Sequence, residues 1–243
     1  MRFVTRASQF LIVAATAAVF AATLQAQTQT PQEAQQPQPQ STQPITPGNG
    51  TYISSDPLAS VKYDNRWDVS VAMAYGHIHA GPNLREGANL GGLDGSASYW
   101  FSKRFAVEGS ARGYVGTSGA PPNPYFISGP FVAQYMFLAG PEYLGPHNKH
   151  GAIILHALVG AAHGDFQHDL RGTSPELIGF YKDQTALGGA FGAHLDLNRS
   201  PRWVFRITPE ALLTGYDGYS GNPHTQWNFG LSVGVQYKFK KKR

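Results

Sequence analysis

Gln226-Trp227-Asn228-Phe229-Gly230-Leu231-Ser232-Val233-Gly234-Val235-Gln236-Tyr237-Lys238-Phe239 places a large apolar side chain at every odd position from Trp227 onward. The positions between them hold Asn, Gly, Ser, Gly, Gln and Lys. Successive side chains of a strand point to opposite faces, so a period of two describes a strand with one apolar and one small or polar face.

Moving outward from this segment, seven others repeat the alternation with lower contrast. In 66–78, Trp67, Val69, Val71, Met73 and Tyr75 oppose Asp68, Ser70, Ala72 and Ala74. Segments 89–101, 105–115, 125–139, 151–163, 185–197 and 202–214 follow the same rule. A membrane-crossing strand at a tilt needs roughly 9–11 residues, and each segment meets that length. The connections alternate as well. Short ones fall at 102–104 and 198–201 and a moderate one at 140–150, whereas long ones rich in Gly, Pro, Asn and His fall at 79–88, 116–124, 164–182 and 217–225. Three tight ends and four long ones predict an up-and-down barrel of eight antiparallel strands with both termini at the tight end.

The 243 residues are 42% hydrophobic and 14% charged, with 28 Gly, 17 Pro and no Cys. A typical soluble domain carries about 25% charged residues, so few groups are available to keep a surface wet. The absence of Cys excludes disulfides, Cys-ligated zinc and a thiol nucleophile. The net charge of +4 comes from the ends, namely Arg2, Arg6 and the terminal Lys240-Lys241-Lys242-Arg243, so no basic face argues for a nucleic-acid partner. Residues 1–26 read as a secretory leader, with two arginines, an apolar run over 10–24 and a small-residue cleavage site at Leu24-Gln25-Ala26. Residues 27–60, rich in Gln, Pro, Thr and Ser, read as a disordered linker. The barrel is then expected over 61–239, followed by a basic tail at 240–243.

A soluble, lipocalin-like ligand-binding barrel also alternates, and the less apolar face decides between them. Facing water, it would carry many Lys and Glu. Here it is mostly Gly, Ala, Ser and Thr, which suits the inside of a narrow barrel. The apolar face concentrates aromatics near strand ends, among them Trp67, Tyr75, Tyr99, Phe105, Tyr135, Trp203 and Trp227, as in the interfacial girdles of a membrane barrel.

The segment 232–239 resembles the C-terminal strand signal of bacterial outer-membrane barrels, a polar residue and Gly followed by two aromatics one residue apart, carried here by Ser232, Gly234, Tyr237 and Phe239. The architecture resembles the small OmpA-type and OmpX/Ail-type barrel domains, without a peptidoglycan-binding domain. That family usually ends on the aromatic, whereas a basic tail follows Phe239 here. The resemblance implies a bacterial outer-membrane location with the linker in the periplasm. As partners it implies lipid and lipopolysaccharide, and the barrel-assembly machinery during biogenesis. A barrel of this size is expected to stand as a monomer.

The ionisable residues on the small face are Asp68, Asp94, Glu108, Arg112, His156, His194, Asp196, Arg206, Glu210 and Lys238. Buried charges persist when paired, which predicts pairs such as Glu108 with Arg112 and Glu210 with Arg206, or cross-strand equivalents. Eight strands leave an interior that side chains can fill, so a polar plug is expected, with a narrow ion channel as the rival reading. His77, His79, His163, His168 and His224 lie at or near the expected outer mouth and are weak candidates for metal binding, since no spacing matches a metal signature. No cofactor is expected. A lipid-A-modifying enzyme is the rival from another class, but the His-x-Ser-Asn motif of the deacylases, GxSxG and HExxH are all missing. The expected role is therefore structural or interactive: envelope integrity, or adhesion through four extracellular loops.

Overall fold

The computed structural model describes residues 56–82, 84, 87–219 and 225–239. The leader, the linker up to residue 55, His224 and the basic tail lie outside the described residues. Eight strands form one closed antiparallel sheet: β1 Trp67–Ile78, β2 Ala88–Trp100, β3 Phe105–Thr117, β4 Phe131–His147, β5 Gly151–Asp165, β6 Gln184–Asn198, β7 Trp203–Thr214 and β8 Gln226–Lys238. Each strand pairs with its neighbour in sequence. β8 closes on β1 from Asp68↔Lys238 to His77↔Phe229, giving the expected up-and-down topology.

Burial follows the period of two. In β1, Asp68, Ala72, Ala74, Gly76 and Ile78 turn inward while Trp67, Val69, Val71, Met73 and Tyr75 turn outward. Bulk on the inner face would not fit at the tightest points. A Cβ built on Gly234 would lie 2.1 Å from the carbonyl oxygen of Val71, which explains a glycine in the middle of β8.

The moderate connection expected at 140–150 is instead strand. β4 continues to His147, and only 148–150 turn the chain. Gly140-Pro141 and Gly145-Pro146 resemble breakers, because proline cannot donate to a ladder. The pairing with β3 nevertheless runs through Val107↔Pro141 to Phe105↔Tyr143, and the ladder with β5 is irregular only between Leu144 and His147. At its other end β4 starts at Phe131 rather than near Tyr125. The seven girdle residues named above are all at least partly exposed on the outer wall. Around the tight-turn end they pair ring to ring, Trp67 with Tyr99 at 4.8 Å, Phe105 with Tyr143 at 5.2 Å and Trp203 with Tyr237 at 5.0 Å.

The outer wall between the girdles carries exposed Val71, Met73, Leu93, Phe137, Val159 and Leu187. An apolar band of this extent is stable against hydrocarbon rather than water. Met73 is 76% exposed in mid-strand, whereas Phe101 sits at the tight-turn rim. Met73→Arg is expected to cost about 2–4 kcal/mol and Phe101→Arg about 0–1 kcal/mol in reversible urea unfolding from lipid vesicles. Equal, small costs at both positions would contradict a lipid-facing band.

Candidate functional site

Among the described residues, the inner wall brings eleven acidic, basic and histidine side chains into the lumen in three tiers. The tier nearest the long loops centres on Arg112 of β3, which forms an ion pair with Glu210 on β7, the opposite strand of the barrel. Arg112 also lies 3.7 Å from Asp94, its register partner on β2. Its Nε donates to Ser110 Oγ at 3.0 Å, and Ser110 Oγ in turn donates to Asp94 Oδ1 at 3.2 Å.

The middle tier holds Glu108, Glu142, His156 and His194. His156 Nδ1 lies 3.0 Å from His194 Nε2 and 3.2 Å from Glu108 Oε2, and His194 Nε2 lies 3.3 Å from Glu108 Oε2. The outer ring nitrogens have their own neighbours. His194 Nδ1 hydrogen-bonds Thr208 Oγ1 at 2.8 Å, and His156 Nε2 lies 3.6 Å from Glu210 Oε2. Gly192, paired with both His156 and Glu210, leaves the space for that approach.

The tier nearest the tight turns is built on Arg206, which donates to both oxygens of Asp196 at 2.7 and 3.1 Å. Below it Asp68 accepts from Trp100 Nε1 at 2.7 Å and from Asn65 Nδ2 at 3.0 Å. Lys238 donates to Asn198 Oδ1 at 3.2 Å and stands 4.3 Å from the centre of the Tyr63 ring. The pocket between Tyr63, Asp68, Trp100 and Lys238 has about 10 Å³ of free space, room for one water at most.

All ten inward residues named from the sequence are thus buried in the lumen, but two of the anticipated pairs do not form. Glu108 meets His156 and His194 rather than Arg112, and Glu210 meets Arg112 rather than Arg206. Residues four apart on one strand are separated by roughly 13 Å, whereas direct cross-strand partners lie about 5 Å apart. Asp94↔Arg112 and Asp196↔Arg206 are such partners. Glu142, buried opposite His156, escaped the sequence reading because the Gly-Pro pairs on either side of it read as a turn. Trp100 was also missed, although Tyr99 and Phe101 flank it on the outward phase and so place it inward. Of the C-terminal signal, Ser232 and Gly234 lie on the inner phase, while Tyr237 packs edge-on against Phe239 at 5.0 Å on the outside.

Of the five histidines expected near the mouth, the four described ones form no common cluster, although the rings of His77 and His79 stand edge to face 6.4 Å apart. His77 engages Asn89 at 2.9 Å and His79 engages Asn228 at 3.0 Å. His163 projects from the outer wall beside Thr185 at 2.8 Å, and His168 stands against Phe131. His224 lies outside the described residues.

The long loops extend an apolar core that begins inside the upper barrel with Ile78, Leu90, Tyr114, Met136 and Leu212, and alternation could not reveal the loop part. Phe166, Tyr181 and Tyr216 meet with ring centres 5.3–5.7 Å apart, and Leu170, Ile178 and Phe180 are buried with them. A single 3-10 turn, Pro175–Ile178, ends at Gly179 in the left-handed region with φ 84°. Burial pushes the Tyr181 hydroxyl from 10.0 up to about 12 and raises Tyr216 as well.

Both features make checkable claims. Removing one partner of a buried pair strands the other, so Arg112→Leu is expected to lose about 3–5 kcal/mol in urea unfolding. The double variant Arg112→Leu/Glu210→Leu should lose less than the single one, and additive losses would contradict the pairing. At the mouth, raised phenol values mean that the stabilisation is intact below pH 10.0 and disappears as pH climbs through about 12. Protease cleavage between β5 and β6 should therefore accelerate over that window in the wild type, and Tyr181→Phe should flatten the rise. A pH-independent cleavage rate would refute the loop core.

No known sequence family and no curated protein sequence matches the chain. Solved structures do. Neisserial surface protein A aligns over 71% of this chain and 97% of its own, with 16% identity and a TM-score of 0.51. Ail, the attachment invasion locus protein of Yersinia pestis, aligns over 72% and 99%, with 20% identity and a TM-score of 0.47. The outer membrane protein OprG of Pseudomonas aeruginosa aligns over 73% and 97%, with 12% identity and a TM-score of 0.48. At the level of fold, the chain is similar to the small eight-stranded outer-membrane β-barrels, as the strand ending at Phe239 led us to expect.

Proposed function

We propose that the chain is a bacterial outer-membrane barrel with a structural and surface-interaction role, its lumen filled by paired charges and its four long loops outside the cell. The observation that carries this reading is the inversion of the molecule. The outer wall is apolar and the inner wall holds the charges, so the barrel body is committed to lipid outside and to its own side chains inside. What remains free to meet a partner is the loop end. There Tyr125 and Phe126 stand out from the β3–β4 loop, Phe126 at 88% exposure, and Leu177 is exposed on the β5–β6 loop. Apolar groups exposed at the mouth suit adhesion or contact with lipopolysaccharide.

One observation keeps the lipid-modifying enzyme in play as a second reading. His163 and Thr185 form a hydrogen-bonded pair on the outer wall near the loop end, where a base and a hydroxyl nucleophile would meet lipid. His163→Ala should then alter the acyl pattern of lipid A in cells producing the protein. An unchanged pattern would leave the non-enzymatic reading standing.

The main reading is tested by location and sidedness together. Unboiled protein from the outer-membrane fraction should run faster on gels than boiled protein, as closed barrels resist detergent until heated. Because the chain contains no Cys, a single introduced thiol reports cleanly on accessibility. His168→Cys in the β5–β6 loop should react with a membrane-impermeant maleimide on intact cells, and Lys103→Cys in the β2–β3 turn should not. A heat-independent band in the soluble periplasm, or labelling with the opposite sidedness, would refute the proposal.

A further inference from the structure

The middle tier of the lumen has more anionic and lone-pair character than its neighbours neutralise. Among the described residues, six carboxylates are buried inside the barrel (Asp68, Asp94, Glu108, Glu142, Asp196 and Glu210) against two guanidinium groups (Arg112 and Arg206) and the Lys238 amine. The arginines are committed to the tiers above and below through Glu210 and Asp94, and through Asp196. Glu108 and Glu142 are left with the two imidazoles. Neither oxygen of Glu142, nor Glu108 Oε1, receives a hydrogen bond among the described residues, although both side chains are almost wholly buried.

The imidazoles are aimed at that deficit. With His194 Nδ1 turned to Thr208 and His156 Nε2 turned to Glu210, the nitrogens that face each other are His194 Nε2 and His156 Nδ1. If the outward nitrogens carry the protons, two lone pairs and a carboxylate oxygen converge within 3.3 Å, which is repulsive unless a cation sits among them. The spacing suits a particular kind of cation. Tetrahedral bonds of about 2.0–2.1 Å place ligand atoms roughly 3.3–3.4 Å apart. The three edges of the His156–His194–Glu108 triangle are 3.0, 3.2 and 3.3 Å, and Glu142 Oε1 lies 3.3 Å from His194 Nε2.

We propose that His156, His194 and Glu108 form a transition-metal site inside the barrel, suited to Zn²⁺ or Co²⁺. Two imidazoles favour such ions over Ca²⁺ or Mg²⁺, which take oxygen ligands. Thr208, hydrogen-bonded to His194 Nδ1, would act as the outer partner that holds that ring's orientation. The wall supplies three ligands, all buried, which leaves the fourth position of a tetrahedral ion to a water. Enclosed between the ion-paired tiers, the site would load its metal as the barrel closes.

The test is to refold the full chain from urea into detergent in the presence of Co²⁺, wash with a chelator, and confirm folding by heat-dependent gel mobility. The wild type should retain one Co²⁺ per barrel with the visible ligand-field absorption of a tetrahedral N/O site, and Zn²⁺ supplied instead should be retained equally. Refolding with Ca²⁺ should leave no retained ion. Thr208→Val should weaken retention by about 10–100-fold without preventing folding. His194→Asn should abolish the cobalt spectrum, and if that variant does not fold, the wild-type stoichiometry and the Thr208→Val result still decide. Folded wild-type barrel that holds no Co²⁺ or Zn²⁺ would overturn the proposal and assign the cluster to imidazoles sharing a proton. Unchanged retention in Thr208→Val would overturn it as well.

Discussion

Hydrocarbon cannot hydrogen-bond an open strand edge, and from that constraint the rest of the molecule follows. A sheet with an uncharged outer face must close, and β8 meets β1 along ten register pairs to do so. Closure with eight strands leaves a lumen about as wide as two opposed side chains. Whatever the inner wall carries is then forced into contact. Arg112 on β3 reaches Glu210 on β7 because no solvent-filled space separates them. The same narrowness explains the Gly, Ala and Ser that dominate the inner phase between the charged tiers.

The tiers divide the work of satisfying those charges by geometry. Arg206 and Asp196 face each other across adjacent strands and bond through two parallel contacts, the arrangement in which a guanidinium suits a carboxylate best. Arg112 instead links three strands. At the tight-turn end, residues ahead of β1 contribute Tyr63 and Asn65, so the segment entering the barrel also stoppers it. At the other end the aromatic loop core covers the polar tiers. The interior is therefore polar in the middle, closed by rings at both ends.

How much of this the sequence could disclose depended on how local the governing physics is. The period of two is a property of neighbouring residues, and it located eight strand segments, with β4 displaced toward Tyr125; the ten named lumen residues are all buried. Partner choice is a property of register, so the same-strand pairs Glu108 with Arg112 and Glu210 with Arg206 do not form, whereas cross-strand pairs do. Glu142 was lost because Gly140-Pro141 and Gly145-Pro146 outweighed a weak alternation, although Pro141 sits in the ladder opposite Val107. The meeting of His156 with His194 needed β5 and β6 in register. The loop core of Phe166, Tyr181 and Tyr216 joins segments separated by strands, with no periodic signal to announce it.

The most direct test of a filled lumen is electrical. Purified full-length protein, with folding verified by its heat-dependent gel mobility, would be inserted into planar lipid bilayers and recorded under applied voltage in concentrated salt. A lumen closed by paired charges and by rings at both ends predicts a flat baseline without discrete current steps. Reproducible steps of uniform size from the folded protein would contradict it and identify a water path past Arg112 and Glu210.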